Sequence, residues 1–253
     1  MGIAIAVASG KGGVGKTTAC ACLSAALCRE NKKVLAIDCD FGLRNLDLAL
    51  GLQDLVVFDL ADAINEVCEV ADVIIQHPKI KNLHFIAAPQ DEKKATFTPA
   101  AFATLVRDIS PAYDYILVDC PASLGHAFYC AIECATSALL ITTPQSYSLR
   151  DAQKVADILS AHNFDDIRLI VNMLRVRQIN RGYSKNIDDV IDMIAIGLIG
   201  VVPYNERVSS YQNIGQNVMD DMSLDVSRAF SNIAKRILGQ RVPILKIKQR
   251  RLG

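Results

Sequence analysis

A glycine-rich turn that directly follows an apolar run is the strongest constraint in this sequence. Residues 3–8, IAIAVA, have the character of a β-strand, and residues 10–17 are GKGGVGKT. The second stretch matches G-x-x-x-x-G-K-[ST] at every fixed position, and an alanine-rich helical run follows from Thr18 to Leu27. Glycines let successive backbone N–H groups converge on one anion, and the start of the following helix adds partial positive charge. The order strand, turn, helix therefore predicts a phosphate-binding loop.

Two side chains of this loop are expected to carry its chemistry. Lys16 would reach the β- and γ-phosphates of a nucleotide, and the Thr17 hydroxyl would be a ligand of Mg²⁺. The predicted nucleotide-binding residues in this stretch are Gly10, Lys11, Gly12, Gly13, Val14, Gly15, Lys16, Thr17 and Thr18.

Further apolar, β-rich runs indicate the fold class. They occur at 3–8, 33–38, 83–88, 113–119, 137–143, 167–173 and 197–202, separated mostly by segments with helical periodicity. Several are apolar throughout, as a parallel strand covered on both faces requires. With right-handed crossovers they predict an α/β fold, a doubly wound and mostly parallel sheet of about seven or eight strands with helices on both faces. We expect a single domain over 1–243, ending in a helix over roughly 224–239, and a short basic tail over 244–253.

Acidic residues end two of these predicted strands. Asp38 and Asp40 end KVLAIDCD, and Asp119 follows the apolar run in YDYILVDCP. Because parallel α/β sheets bind ligands at the carboxyl ends of their strands, Asp119 is the candidate acid that arranges Mg²⁺, through water. Without a phosphate loop beside it, the same residue would be as typical of a helix cap or turn. The candidate metal residues are Thr17, Asp38 and Asp119, the two aspartates acting through water.

Lys11 is a second lysine in the loop, where Lys16 already serves the phosphates of its own subunit. Its charge is useful if it acts on a second subunit, because a cation delivered across an interface is worth ~10³ to 10⁵ in rate in related phosphoryl-transfer systems. A solvated loop lysine is the alternative.

Composition limits partners and location. Lys and Arg number 27 and Asp and Glu also 27, so no overall field draws the chain to nucleic acid or membrane. The eight cysteines lie mostly within apolar patterns without C-x-x-C spacing, which predicts buried thiols in a reducing cytoplasm. Cys130 and Cys134 share a helical face, which leaves open a cluster held across a dimer axis. We expect a cytoplasmic chain without a signal peptide or a transmembrane segment.

Longer stretches point to a known family. GKGGVGKTT with the early Lys11, DCDFGLRNLDLALG at 38–51 and DCPAS at 119–123 resemble the deviant Walker A ATPases of the MinD/ParA family, which have the P-loop NTPase fold. GLRNLDL is typical of the MinD-like, septum-site-determining members. The likeness continues through 58–65, 141–155 and 232–243, so it covers nearly the whole chain.

This resemblance implies an ATPase that binds ATP and Mg²⁺, closes into a face-to-face homodimer and hydrolyses ATP slowly until a partner stimulates it. By position, the catalytic residues would be Lys11, which contacts the ATP of the opposite subunit, Lys16, and Asp40, which orients the attacking water. Asn172 matches the asparagine that reads adenine. The family's partners imply a MinC-like division inhibitor and a MinE-like or other stimulator. The partner surface would include Ser148, Arg150 and Asp151.

Several alternatives stay open at this point. The tail at 244–253 has four basic residues and a poor amphipathic pattern, so it is either a weak contact with an anionic membrane or a solvated terminus. A ParA-like partition ATPase acting on DNA is a second function, which the neutral net charge disfavours. A third is an iron-sulfur ATPase related to the nitrogenase iron protein, which the missing C-x-x-C disfavours. A nucleotide-dependent scaffold with negligible turnover is a fourth.

Overall fold

The structure, a computed structural model, describes residues 2–162, 164 and 166–245. In this part of the chain the strands form one sheet. They are β1 (Ile3–Ala8), β2 (Val34–Asp38), β3 (Ile75–Gln76), β4 (Leu83–Ile86), β5 (Tyr115–Asp119), β6 (Ser137–Thr142), β7 (Asp166–Leu174) and β8 (Leu198–Pro203). Their spatial order is β3-β4-β2-β5-β1-β6-β7-β8.

The direction of the strands confirms the predicted fold class. Neighbouring strands pair in parallel across the sheet, except that β3 runs antiparallel to β4. Seven strands occur where the apolar runs predict them, and β3 is the strand that the sequence analysis missed. Two residues are too few to show an alternating pattern, so β3 depends on pairing with β4 rather than on its own composition.

Helices cover both faces of the sheet. In the described residues they are α1 (Lys16–Arg29), α2 (Leu46–Leu50), α3 (Leu60–Ile64), α4 (Pro99–Ile109), α5 (His126–Glu133), α6 (Ser146–Ala161), α7 (Val176–Asn180), α8 (Ile187–Ile194), α9 (Arg207–Asn213) and α10 (Asp225–Ile237). The helix predicted over roughly 224–239 is α10, which ends before Gly239 because that glycine takes a positive φ of 78°. None of these helices has the length and apolarity needed to span a bilayer.

Alternating side chains of the central strand β1 pack into two separate hydrophobic cores. Ala4 and Ala6 belong to the core beneath α4, α5 and α6, whereas Ile5 and Val7 belong to the core beneath α1 and α10. Successive side chains of a strand point to opposite faces, so a strand that is apolar throughout is covered on both sides. Burial on both faces makes β1 a rigid base for the loop that follows it.

Strand register brings the predicted site residues to one edge of the sheet. Val7 of β1 pairs with Asp119 of β5, and Asp119 pairs with Asp38 of β2 on its other side. The glycine turn begins just after β1, so it lies next to both aspartates. This edge carries the site described below.

Candidate functional site

The glycine turn depends on its glycines for backbone conformation and for close packing. Gly13 and Gly15 take positive φ values of 79° and 84°, and Gly15 directly precedes α1. A Cβ on Gly10 would lie 2.2 Å from the backbone carbonyl of Asp151, and a Cβ on Gly15 would lie 2.4 Å from Asn172 Nδ2. Larger residues would push the turn away from α6 and β7. Packing against Asp151 on one side and Asn172 on the other therefore holds the turn in place.

Lys16 forms a buried ion pair with Asp119 at the base of this turn. Lys16 Nζ lies 2.9 Å from Asp119 Oδ1, and the two side chains are 7% and 1% exposed. Burial by itself lowers the pKa of Lys16, but the Asp119 carboxylate outweighs it and raises that pKa above its usual value. Asp119 Oδ2 is buried and has no hydrogen-bond partner within the described residues. A buried carboxylate oxygen without a donor is costly, and a cation or a water bound to one is the kind of ligand that would satisfy it.

Asp38 fixes the segment after β2 through hydrogen bonds to its backbone, a role that sequence analysis did not predict. Its two carboxylate oxygens accept from the backbone N–H of Asp40 at 2.8 Å and of Leu46 at 2.9 Å. Burial, together with the neighbouring Asp119, raises the pKa of Asp38 from 3.8 to about 7. The aspartate therefore closes the loop that carries Asp40 and starts α2.

Asp40 lies in the cleft itself. It is half-buried and lines the open space above Lys16. Burial raises the pKa of its carboxyl, Asp119 and Glu92 raise it further by repulsion, and Lys16 opposes them. A carboxylate near a phosphate site with a raised pKa is suited to orient a water molecule and accept a hydrogen bond from it.

Lys11 takes a different position from Lys16. Its Nζ lies 3.8 Å from the centroid of the Tyr147 ring on α6, and both residues are exposed. It also lines the mouth of the cleft. The second lysine is thus at the surface, where another molecule can reach it, and rests on an aromatic face of its own subunit.

Asn172 supports the turn from β7. Its Nδ2 donates to the Val14 carbonyl at 2.8 Å, and its Oδ1 accepts from the Met173 N–H at 2.9 Å. Both ends of the amide are engaged by the chain, so reading adenine would require it to share or exchange these bonds. Its role in recognising the base stays a prediction.

The predicted partner surface on α6 is only partly at the surface. Arg150 is exposed, and Asp151 is partly exposed with its carboxylate 3.7 Å from Lys154 Nζ. Ser148 is 3% exposed, so it faces the interior and is not part of an exposed docking surface. Sequence position does not show which face of a helix is covered, and here α6 packs its Ser148 side on the sheet.

The cleft contains residues that sequence analysis did not single out. Its volume is about 660 Å³. Besides the predicted residues, it is lined by Leu43, Asn45, Leu48, Ala49, Ala122, Gln212 and Asn213. The first four follow Asp40 closely along the chain, which is a usable signal. Gln212 and Asn213 have no local signal, because they reach the cleft only through the packing of α9.

The structure lends no support to a cluster shared by Cys130 and Cys134. Cys130 is fully buried, with its Sγ 3.5 Å from His126 Nε2, and Cys134 Sγ donates to the Ala131 carbonyl at 3.2 Å. Within the part of the chain that the structure describes, no group of three or more His, Cys, Asp or Glu residues is arranged to hold a metal ion. The burial of Cys130 disfavours a ligand role across a dimer axis, although Cys134 is partly exposed.

Comparisons with known proteins agree with this geometry. A profile of the AAA domain family matches residues 2–165. Septum site-determining protein MinD of Synechocystis is 38% identical over 242 residues, which are 95% of this chain and 91% of that protein. A chain of the MinC:MinD cell division protein complex of Aquifex aeolicus superposes with a TM-score of 0.90 at 31% identity, covering 96% of this chain and 98% of that one.

A further solved relative carries a ligand. MinD of Pyrococcus horikoshii, complexed with Mg-ADP, superposes with a TM-score of 0.85 at 28% identity, covering 94% of this chain and 96% of that one. Sequence likeness over nearly the full length, the same fold and the two-lysine turn lead to one conclusion: this chain belongs to the MinD family of septum site-determining proteins.

Proposed function

We propose that this chain is an ATPase of the MinD type, a switch that dimerises with ATP, hydrolyses it slowly and positions the division site. The observation that carries the proposal is the buried Lys16–Asp119 pair beneath a cleft of about 660 Å³. The pair places one cation and one unsatisfied carboxylate oxygen under a turn shaped to hold phosphates. The Mg-ADP complex of the Pyrococcus relative supports this ligand.

The residues present fit a magnesium ion. The unpartnered Asp119 Oδ2 and the hydroxyl of Thr17, which lines the cleft together with Lys16, are the oxygen ligands that Mg²⁺ prefers. A metal-bound water suits the buried carboxylate. We assign Thr17 to the metal, with Asp119 and Asp38 acting through water. When bound, the ion neutralises charge on the phosphates.

The chain's own groups then have distinct parts in hydrolysis. Backbone N–H groups of the turn and Lys16 hold the phosphates, which requires Lys16 to leave or share Asp119. Asp40 orients the attacking water from the cleft wall. Lys11 of one subunit stabilises negative charge on the nucleotide of the other, so turnover depends on dimerisation.

Partners and location follow from the family. We assign a MinC-like inhibitor to the exposed part of α6 around Arg150 and Asp151, with a MinE-like or other stimulator of hydrolysis. We also propose peripheral contact with the inner face of the cell membrane through the tail at 244–253, following a single ATPase domain over 1–243. The tail beyond Leu245 lies outside the described residues.

Light scattering of the full chain with Mg²⁺ and a nonhydrolysable ATP analogue tests the switch. Wild type should be a dimer with the analogue and a monomer with ADP, and Lys16→Ala a monomer with both. A wild-type chain that stays monomeric, or one whose ATP hydrolysis stays at background with lipid and partners present, would contradict the proposal. Sedimentation with anionic liposomes, repeated with duplex DNA, distinguishes a MinD-type function, in which the chain binds the liposomes, from a ParA-like function, in which it binds the DNA.

A further inference from the structure

Helix α9 forms the far wall of the cleft and touches the phosphate loop through a side chain. Gln212 Nε2 donates to Thr18 Oγ1 at 2.8 Å, although the two residues lie 194 positions apart. Thr18 directly follows Thr17 and belongs to the first turn of α1. Both Gln212 and Thr18 line the cleft. A residue from the C-terminal part of the chain therefore meets the loop at the place where a nucleotide is expected.

Backbone packing fixes the position of this wall. Gly51 ends α2 with a positive φ of 68°, and a Cβ there would lie 2.4 Å from the carbonyl oxygen of Gly215. Gly215 lies two residues after the end of α9. Because this approach is between two backbones, the segment that follows α9 is held close to the end of α2. This contact anchors the wall near Gln212.

The contact leaves hydrogen-bonding capacity for a ligand. A primary amide has two donor hydrogens and one acceptor oxygen, and a hydroxyl can accept and donate at once. Gln212 uses one hydrogen on Thr18, and Thr18 accepts it, so one amide hydrogen and the hydroxyl hydrogen stay available. Two donors side by side in a phosphate cleft match an anionic oxygen.

We propose that Gln212 is a nucleotide-contacting residue, whose amide donates, together with the Thr18 hydroxyl, to the α-phosphate. The inference rests on the proposed nucleotide site at the phosphate loop. Lys16 and the turn serve the β- and γ-phosphates. The next phosphate along the nucleotide is the α-phosphate, and the next polar pair along the cleft wall is Thr18 with Gln212. Binding would then tie α9 to the loop.

Calorimetric titration of the full chain with Mg²⁺ and either ADP or a nonhydrolysable ATP analogue tests this contact. Gln212→Ala should weaken both ligands by about tenfold, because both contain the α-phosphate and a hydrogen bond to a charged group is lost. Gln212→Glu should weaken both ligands more than Gln212→Ala does, since a carboxylate repels the phosphate. Gln216→Glu adds the same charge four residues further along, just after α9, on an exposed side chain and should bind within about twofold of wild type.

A double variant separates phosphate contact from mere support of Thr18. In a Thr18→Val chain, which lacks the hydroxyl, Gln212→Ala should still weaken binding; no further loss in that background would show that Gln212 acts only through Thr18 and would overturn the proposal. Equal unfolding midpoints without nucleotide exclude a folding defect, and Gln212→Asn, too short to reach Thr18, gives a second neutral variant that should behave as Gln212→Ala. If Lys16→Ala still binds nucleotide, the site itself is misplaced. If Lys16→Ala loses binding while the Gln212 variants bind as wild type, only this contact is wrong.

Discussion

The Lys11 ammonium rests on the Tyr147 ring of its own subunit, 3.8 Å from the ring centroid. Gly10, the residue before Lys11, packs on the backbone of Asp151, one helical turn after Tyr147 on α6. Packing of the turn on α6 therefore brings the lysine to the ring. A cation–π contact at an exposed site is worth about 0.5 to 1 kcal/mol, so a nucleotide in a facing subunit can outcompete it.

Removing the Tyr147 ring should favour the dimer. Each dimer gives up two Lys11–Tyr147 contacts, so Tyr147→Leu should tighten dimerisation with a nonhydrolysable ATP analogue by about five- to thirtyfold. Analytical ultracentrifugation over a range of protein concentrations measures the dissociation constant of the dimer. Tyr147→Phe keeps the ring and is the matched control. If the phenylalanine variant shifts as far as the leucine variant, the ring contact does not oppose dimerisation.

Lys11→Ala should separate binding from dimerisation. Lys11 is exposed, whereas Lys16 is at the base of the cleft, so the variant should bind ATP within a few-fold of wild type but lose the dimer and turnover. Titration with a fluorescent ATP analogue and light scattering report the two properties. Lys33→Ala, which removes a lysine from the Tyr113 ring on another part of the surface, is the control. A Lys11→Ala chain that still dimerises with ATP argues against a role in the facing subunit.

Replacing Lys16 should destabilise the protein even without nucleotide. Lys16→Met leaves Asp119 buried beside Asp38 without its cation, and breaking a buried pair costs about 3 to 5 kcal/mol of unfolding free energy. Urea denaturation at pH 8 measures the loss. The double variant Lys16→Met with Asp119→Asn should recover part of it, because the unpaired charge is gone. Equal stability of Lys16→Met and wild type would show that the pair is not formed in solution.

Asp38 should make stability depend on pH. Burial and Asp119 raise its pKa from 3.8 in the unfolded chain to about 7 in the folded one, so the folded state binds this proton more tightly. The stabilisation that this proton gives the folded state is complete below the pKa of the unfolded chain and is lost as the pH rises to about 7. The free energy of unfolding should therefore fall across that pH range. Asp38→Asn should flatten the curve only in part, because the pKa of Asp40 is raised as well. Denaturation from pH 4 to 8 checks this, and parallel curves for the two proteins would refute it.

Asp40→Asn should slow hydrolysis without weakening the dimer. The carboxylate that orients water is lost, which costs about a hundredfold in rate, while the groups that hold phosphate are unchanged. A phosphate-release assay should show slower hydrolysis, and light scattering with ATP should show a longer-lived dimer. A normal rate in this variant would remove Asp40 from the mechanism.

The strongest predictions from sequence were those that depend on local order. The strand before Gly10, the helix after Lys16 and Asp119 at the end of an apolar run are each readable within about ten residues. Ser148 is predicted at the partner surface but is buried, because a residue's position in a helix does not by itself show which side packs on the sheet. The two-residue strand Ile75–Gln76 was missed, because it is stabilised by a neighbour rather than by its own pattern.

The fold class and the phosphate-binding turn can thus be predicted from local sequence, since backbone preference and side-chain periodicity act between near neighbours. Which distant groups meet depends on how the chain packs in three dimensions: Lys16 with Asp119, 103 residues apart, Lys11 with Tyr147, and Gln212 with Thr18. These contacts come from strand register and from glycines that let backbones approach closely. No local pattern encodes them, because each depends on where a distant segment packs.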